Sequence, residues 1–232
     1  MEVPHQIPKS SIIVGLVRLP CRRMRSAALP VGKFCLIMRL WNGMKRRSIF
    51  PPCLSMSNRH MQHKWAFVAD YVRLYALIRY GVVYMDTDVE LVAPLDRFMN
   101  QAAFAGFEDA SHVATCVMAC EPEFPLFKEF LLQYSNMQFL NPDGTLNTTT
   151  NVSRLTDICL ERGMLQNGQC QSVAGLTIYP ADYFCPLALD TGLLKQTENT
   201  VAIHWFAGSW WSSEEKYAWK SPVACIASSC KN

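Results

Sequence analysis

The sequence has no apolar run long enough to cross a membrane as a helix. Such a helix needs about 20 predominantly apolar residues. The apolar stretch from Ser11 to Leu19 is shorter, contains Arg18 and lacks a small-residue cleavage site. We therefore predict neither a transmembrane segment nor a signal peptide. The expected location is cytoplasmic, with peripheral association at the inner face of the membrane left open.

Paired metal-ligand spacing of cysteines is also absent. The ten cysteines are spread over a large apolar chain. Cys116 and Cys120 lie four positions apart and Cys225 and Cys230 five apart, which is not the C-x-x-C spacing of many zinc sites. This pattern favours reduced cysteines over a zinc site or a disulfide framework.

A strong charge of one sign is missing too. The formal net charge is +3 over 232 residues, of which 50% are hydrophobic. So small an excess gives no indication of a nucleic-acid partner. The length and apolar content predict one folded domain, without internal repeats or low-complexity segments.

Regular patterning begins abruptly at Lys64, whereas residues 1–63 show no sustained strand or helix period. Residues Trp65–Tyr80 predict a helix, Gly81 its C-terminal cap, and Val82–Met85 a buried strand. Further on, the patterns predict alternating strands and helices and hence an α/β domain: strands Phe104–Phe107, Leu176–Tyr179 and Thr200–His204, and helices Pro125–Tyr134 and Ser153–Arg162.

An acidic triplet, Asp86-Thr87-Asp88, follows the predicted strand directly. Two carboxylates separated by one residue can converge on a hard divalent cation such as Mn²⁺ or Mg²⁺. Such a cation prefers oxygen ligands and keeps open positions for phosphates. A bridging cation would also offset the repulsion between these carboxylates and a diphosphate. The pattern alone is weak, because Asp-x-Asp is common in surface turns.

Asp70 and Arg73 strengthen the interpretation because they share one face of the preceding helix. A helix-turn-strand unit can direct that face toward the strand end. Arg73 would then hold a phosphate and Asp70 a sugar hydroxyl. The alternative is a surface ion pair of little energetic weight. The apolar neighbours of the two residues indicate a partly buried helix, where unpaired charges are costly.

The segment WAFVADYVRLYALIRYGVVYMDTDVELVAPLD resembles the core of the DXD sugar-binding glycosyltransferases (glycosyltransferase family 32). The family pattern is a helix with A-x-x-S-D-x-x-R followed by Y-G-G-x-Y-x-D-x-D. Ala69 stands here where Ser is usual, and Val82 where the second Gly is usual. Further on, Ile178-Tyr179-Pro180 and the run from Ala202 to Trp210, AIHWFAGSW, are similar to the closing motif of the family. The resemblance covers residues 64–219.

This resemblance implies a GT-A fold and a nucleotide-sugar donor, with transfer to a saccharide acceptor and retention of anomeric configuration. It also implies Mn²⁺ or Mg²⁺ as cofactor and a role in cell-surface polysaccharide synthesis, in bacterial capsule or lipopolysaccharide. Asp70 and Arg73 would bind the donor sugar and diphosphate. Asp88 would be the direct metal ligand, and Asp86 would reach the metal or the ribose.

The C-terminal motif implies the remaining site residues. His204 would be a third metal ligand, and Ser209 and Trp210 would close over the diphosphate. From the residues alone, His204 is equally well a structural polar residue, and Trp210 a core residue.

Residues 1–63 depart from the family after Ile7-Pro8-Lys9, where the family continues I-I-H-Y-x-W-F-G. One possible coding sequence for the stretch from Lys9 to Val17, read after its first two bases are dropped, encodes I-I-H-Y-C-W-F-G. In the same phase, residues 42–50 give W-D-E-E-T-F-D-I, similar to the W-x-x-x-x-F-D segment of the family. We interpret residues 1–63 as the frame-disrupted first part of the catalytic domain, residues 64–219 as the catalytic core and residues 220–232 as an irregular tail.

Two other functions stay open at the level of sequence. One is a catalytically impaired remnant or sugar-nucleotide-binding protein without turnover. The other is a structural protein that binds a cation through Asp86 and Asp88, which leaves Arg73 unexplained.

Overall fold

The computed structural model describes residues 12–14, 61–135 and 149–206. These ranges contain helices together with a mixed parallel and antiparallel sheet, which is consistent with the predicted α/β class. In chain order the elements are β1 (Ile12–Val14), α1 (Met61–Tyr80), β2 (Val83–Met85), β3 (Val89–Leu91), β4 (Ala103–Gly106), β5 (Val117–Cys120), α2 (Pro125–Ser135), α3 (Asn151–Leu160), β6 (Gln171–Val173), β7 (Leu176–Tyr179), α4 (Ala181–Phe184) and β8 (Ala202–His204).

Six strands form a mixed sheet in the order β1-β2-β5-β4-β7-β6. The pairs β1–β2 and β4–β7 are parallel, and the other neighbours are antiparallel. Strands β3 and β8 pair separately as a small antiparallel sheet. This small sheet brings the chain that follows the acidic triplet next to the C-terminal motif.

Each face of the main sheet has its own apolar cluster, because successive strand residues point to opposite sides. Tyr84 of β2 packs with the cluster formed by α1, α2 and α3. Val83 and Met85 pack on the other face with Phe98 and Phe184. The alternation directs Asp86, two residues after Tyr84, toward the helix face.

Helix α1 begins at Met61, before the predicted Trp65, and ends at Tyr80 as predicted. Gly81 has a φ of +57° and donates its N–H to the carbonyl of Leu77 at 2.9 Å, which ends the helix with a left-handed residue. The second half of α1 is buried, including Leu74 and Leu77 at 0% exposure. Among the described residues, no helix is long and apolar enough to span a membrane.

Four strands were not predicted: β1, β3, β5 and β6. They have three or four residues, which is too few for a strand period to stand out from a loop. β1 is an Ile-Ile-Val run within the segment that we interpret as frame-disrupted, and it pairs with β2. The predicted helix from Ser153 begins instead at Asn151, because the Thr150 side chain caps it by accepting the Ser153 N–H at 3.1 Å.

We expect Gly81→Ala to destabilise the fold by about 2 to 4 kcal/mol. A Cβ at this position would lie 2.3 Å from Cδ of Pro122, and a left-handed φ strains any residue with a Cβ. Gly163→Ala is the matched control, because Gly163 has a φ of +85° with nothing within 4 Å of its added Cβ. It should cost only about 1 to 2 kcal/mol. Equal urea midpoints for the two variants would refute the clash with Pro122.

Candidate active site

Backbone hydrogen bonds fix the acidic triplet at the end of β2. The Asp86 N–H donates to the carbonyl of Cys116 at 2.8 Å, and its carbonyl accepts the Val89 N–H at 3.2 Å. The Asp88 carbonyl accepts the N–H of Trp205 at 3.0 Å. The triplet is therefore held between the start of β5 and the end of β8, rather than in a free surface turn.

A buried ion network joins this triplet to α1. Arg73 Nη2 lies 3.1 Å from Oδ1 of Asp70 and 3.2 Å from Oδ1 of Asp86. Its Nη1 donates to the carbonyl of Thr115 at 3.0 Å. The Tyr84 hydroxyl donates to Oδ1 of Asp86 at 2.6 Å, and its ring lies 4.5 Å from the Arg73 guanidinium carbon. Asp70 and Arg73 thus face the triplet as predicted, and they do not form a surface ion pair.

Burial controls the electrostatics of this network. The Arg73 side chain is 3% exposed, and those of Asp70 and Asp86 are each 17% exposed. Burial raises the pKa of Asp70 to about 6, although the Arg73 charge opposes the shift. Burial alone would lower the pKa of Arg73, but Asp86, Tyr84 and Asp70 raise it overall. The guanidinium therefore stays charged and stabilises the two carboxylates.

Asn151 is a further contact of Asp70 that sequence reasoning missed. At the first turn of α3, its Nδ2 donates to Oδ1 of Asp70 at 2.8 Å. Asp70 therefore makes an ion pair with Arg73 of its own helix and accepts a hydrogen bond from Asn151 of α3. The two residues are far apart in sequence, and the polar loop before α3 contains no pattern that indicates this contact.

His204 completes the group on the opposite side of the triplet. Antiparallel pairing places it across from Val89, and its Nε2 lies 3.5 Å from Oδ2 of Asp88. Burial lowers the pKa of His204, but Cys116 and Asp88 beside it raise it above its usual range overall. Its Nδ1 is buried and makes no hydrogen bond within the described residues.

Three potential ligand atoms, one each from Asp86, Asp88 and His204, lie within 4.8 Å of one another. Carboxylates and an imidazole suit Mn²⁺, and carboxylates alone suit Mg²⁺. The donor set therefore fits the predicted divalent cation. Glu108 follows β4 and is a further carboxyl group that interacts with the charge of His204. Burial raises the pKa of Glu108, and the His204 charge opposes that rise.

The predicted Ser209 and Trp210 lie outside the described residues. The described part of their motif ends with Trp205 and Phe206. The Trp205 Nε1 donates to Oε2 of Glu90 at 2.9 Å, so the motif is connected to β3 just before Ser209. The donor-binding roles of Asp70, Arg73, Ser209 and Trp210 stay predictions.

Comparison with known proteins gives one family. Residues 44–105 match the glycosyltransferase sugar-binding region containing DXD motif. The matched range includes α1, the acidic triplet and β3, and it reaches back into the end of the segment 1–63. No curated protein and no solved structure matches the chain significantly. Over this range, the similarity supports a DXD glycosyltransferase.

Proposed function

We propose that the chain is a retaining, metal-dependent glycosyltransferase of the GT-A fold. It would transfer a hexose from a nucleoside-diphosphate donor to a saccharide acceptor in the synthesis of a bacterial cell-surface polysaccharide, either capsule or lipopolysaccharide. The observation that supports this most is the cluster of Asp86, Asp88 and His204, within 4.8 Å of one another at the end of β2.

The cation that this cluster would hold, Mn²⁺ or Mg²⁺, would neutralise the diphosphate and stabilise the charge on the leaving group. Asp88 and His204 would be its protein ligands, with Asp86 reaching it or the ribose. Arg73 fixes Asp86 and Asp70 in position through its two short ion pairs. Such preorganisation provides much of the catalytic effect when the reaction requires chiefly donor positioning.

We assign no residue as a general base for the acceptor hydroxyl. In this proposal α1 and β2 would form the floor of the donor site, and Asp70 would accept a sugar hydroxyl. Ser209 and Trp210 would close over the diphosphate from the segment that follows β8. Closure of this kind excludes water and so favours transfer over donor hydrolysis.

The proposal is tested by titrating the chain with UDP and with GDP, each in Mn²⁺ and in excess chelator. We expect one nucleotide to bind at least about a hundredfold more tightly with Mn²⁺, because the cation would bridge the carboxylates and the diphosphate. Incubation with the corresponding nucleotide sugars should then release the nucleotide by hydrolysis or transfer. Failure of both nucleotides to bind would contradict the proposal. If the chain binds Mn²⁺ but neither UDP nor GDP, the cluster is a structural cation site.

A second candidate is a protein that binds the sugar nucleotide without turnover. It is favoured by the proposed frame disruption of residues 1–63, which would remove part of the nucleotide-binding half. Metal-dependent nucleotide binding with no release from any UDP- or GDP-sugar would support it. Resequencing the gene tests the disruption itself, since an error-free frame from Ser10 to His63 would refute it.

A further inference from the structure

Two buried cysteines lie beside the acidic triplet and have no part in the proposed transfer. The Sγ atoms of Cys116 and Cys185 are 3.2 Å apart. Cys116 immediately precedes β5 and Cys185 follows α4, so the main sheet brings them together from distant parts of the sequence. Each residue is 2% exposed. Both are free thiols.

His204 lies against this pair. One ligand atom from each of Cys116, Cys185 and His204 is within 4.8 Å of the other two. The Nδ1 of His204 is also buried without a hydrogen-bond partner in the part of the chain that is described. Leaving a buried ring nitrogen of His204 without a partner is costly, and coordination to a cation would give the imidazole one.

We propose that Cys116, Cys185 and His204 form a binding site for a thiophilic divalent cation such as Zn²⁺. Two thiolates and one imidazole are a typical zinc donor set. On binding, the cation would replace the two thiol protons and one ring proton of the His204 imidazolium, all of which pass to solvent, and form two metal–sulfur bonds and one metal–nitrogen bond.

The distances favour a cation over a disulfide. A tetrahedral zinc with bonds of about 2.3 Å holds its sulfurs about 3.8 Å apart, so the pair has to open by about 0.6 Å. A disulfide bond of about 2.05 Å requires closure by about 1.1 Å.

The two groups of ligands differ in chemical hardness and share His204. Asp86 and Asp88 prefer a hard cation, and the two thiolates prefer a softer one. A cation held by Cys116 and Cys185 therefore competes for His204 with the cation of the transfer site. This competition rests on the proposed function, whereas the thiolate site itself does not.

Cobalt tests the site, because Co²⁺ bound to thiolate gives a near-ultraviolet charge-transfer band. The reduced full-length chain would be titrated with Co²⁺, alongside Cys116→Ser/Cys185→Ser and the control Cys120→Ser/Cys159→Ser. The control also removes two buried cysteines, Cys120 and Cys159, which lie outside the cluster. We expect the band in the wild type and the control, and its loss in the Cys116/Cys185 variant. Equal bands in all three would overturn the proposal.

A measurement on the unmodified chain covers the case in which the Cys116/Cys185 variant fails to fold. The ¹¹³Cd NMR shift of the cadmium-loaded wild type reports how many sulfurs bind the metal. A shift typical of two thiolates and one nitrogen supports the site, and a shift typical of oxygen ligands alone refutes it. A Cys116–Cys185 disulfide formed by oxidised glutathione, with no thiolate–cobalt band, would identify a redox pair instead and also refute the site. Neither readout depends on sugar transfer.

Discussion

Replacing Asp88 by asparagine is expected to lower the Mn²⁺-dependent affinity for UDP or GDP at least about a hundredfold. Asparagine keeps the shape of the side chain but removes the charge that a divalent cation requires. Losing even an outer-shell partner of a metal ligand costs about 10- to 100-fold in affinity, so losing a direct ligand should cost more. Isothermal titration in Mn²⁺ and in chelator measures the effect: the variant should bind the nucleotide equally weakly in both.

Glu90→Gln is the matched control for Asp88→Asn. Glu90 is an exposed carboxylate two residues further along the same segment, and its Oε2 accepts the Trp205 indole N–H at 2.9 Å. Glutamine keeps an acceptor for that bond while it removes the same charge. We expect its affinity to stay within about twofold of the wild type, since its charge is exposed and screened. A comparable loss in both variants would indicate a general effect of acidic charge and refute a specific ligand role for Asp88.

Local sequence patterns predict the helix and the strand that carry the triplet. The apolar period of α1, the left-handed Gly81 at its end and the β-branched run before Asp86 are properties of neighbouring residues. The shared face of Asp70 and Arg73 follows from helical spacing alone. Tyr84 and Asp86 lie two apart at the end of a strand and so point to one side, and the structure shows that this is the side on which α1 packs.

Contacts between distant segments could not be predicted from such patterns. His204 reaches Asp88 because β3 pairs with β8, and the three residues of β3 carry no clear period. Only the resemblance to a family indicated that His204 belongs to the site. Asn151 and the Cys116–Cys185 pair have no such motif, and the sequence spacing of the cysteines even argued against a shared metal. The packing of helices and strands from distant parts of the chain brings these residues together.

The buried guanidinium of Arg73 connects stability with the site. It contacts two carboxylates and one carbonyl, so a single side chain orients the helix residue Asp70 and the triplet residue Asp86. Lysine carries the same charge, but its compact ammonium lacks the planar fork that reaches several acceptors at once. Arg73→Lys should therefore retain part of the stability and little of the Mn²⁺-dependent nucleotide affinity.

Arg73→Met is expected to destabilise the fold by about 3 to 5 kcal/mol, because it leaves Asp70 and Asp86 buried without their counter-charge. Urea unfolding measures the change. Arg79→Met is the control on the same helix: Arg79 is exposed, so its replacement should change stability by no more than about 0.5 kcal/mol.

Adding Asp70→Asn to Arg73→Met separates lost charge pairing from lost packing. Removing one of the two uncompensated carboxylates should restore about 1 kcal/mol or more, although the same change in the wild type should destabilise. A purely structural arginine that filled space would instead give additive losses in the double variant. Additive losses would therefore refute the ion network as the reason for burying Arg73. Recovery would show that the two carboxylates, and hence the geometry of the triplet, depend on its charge.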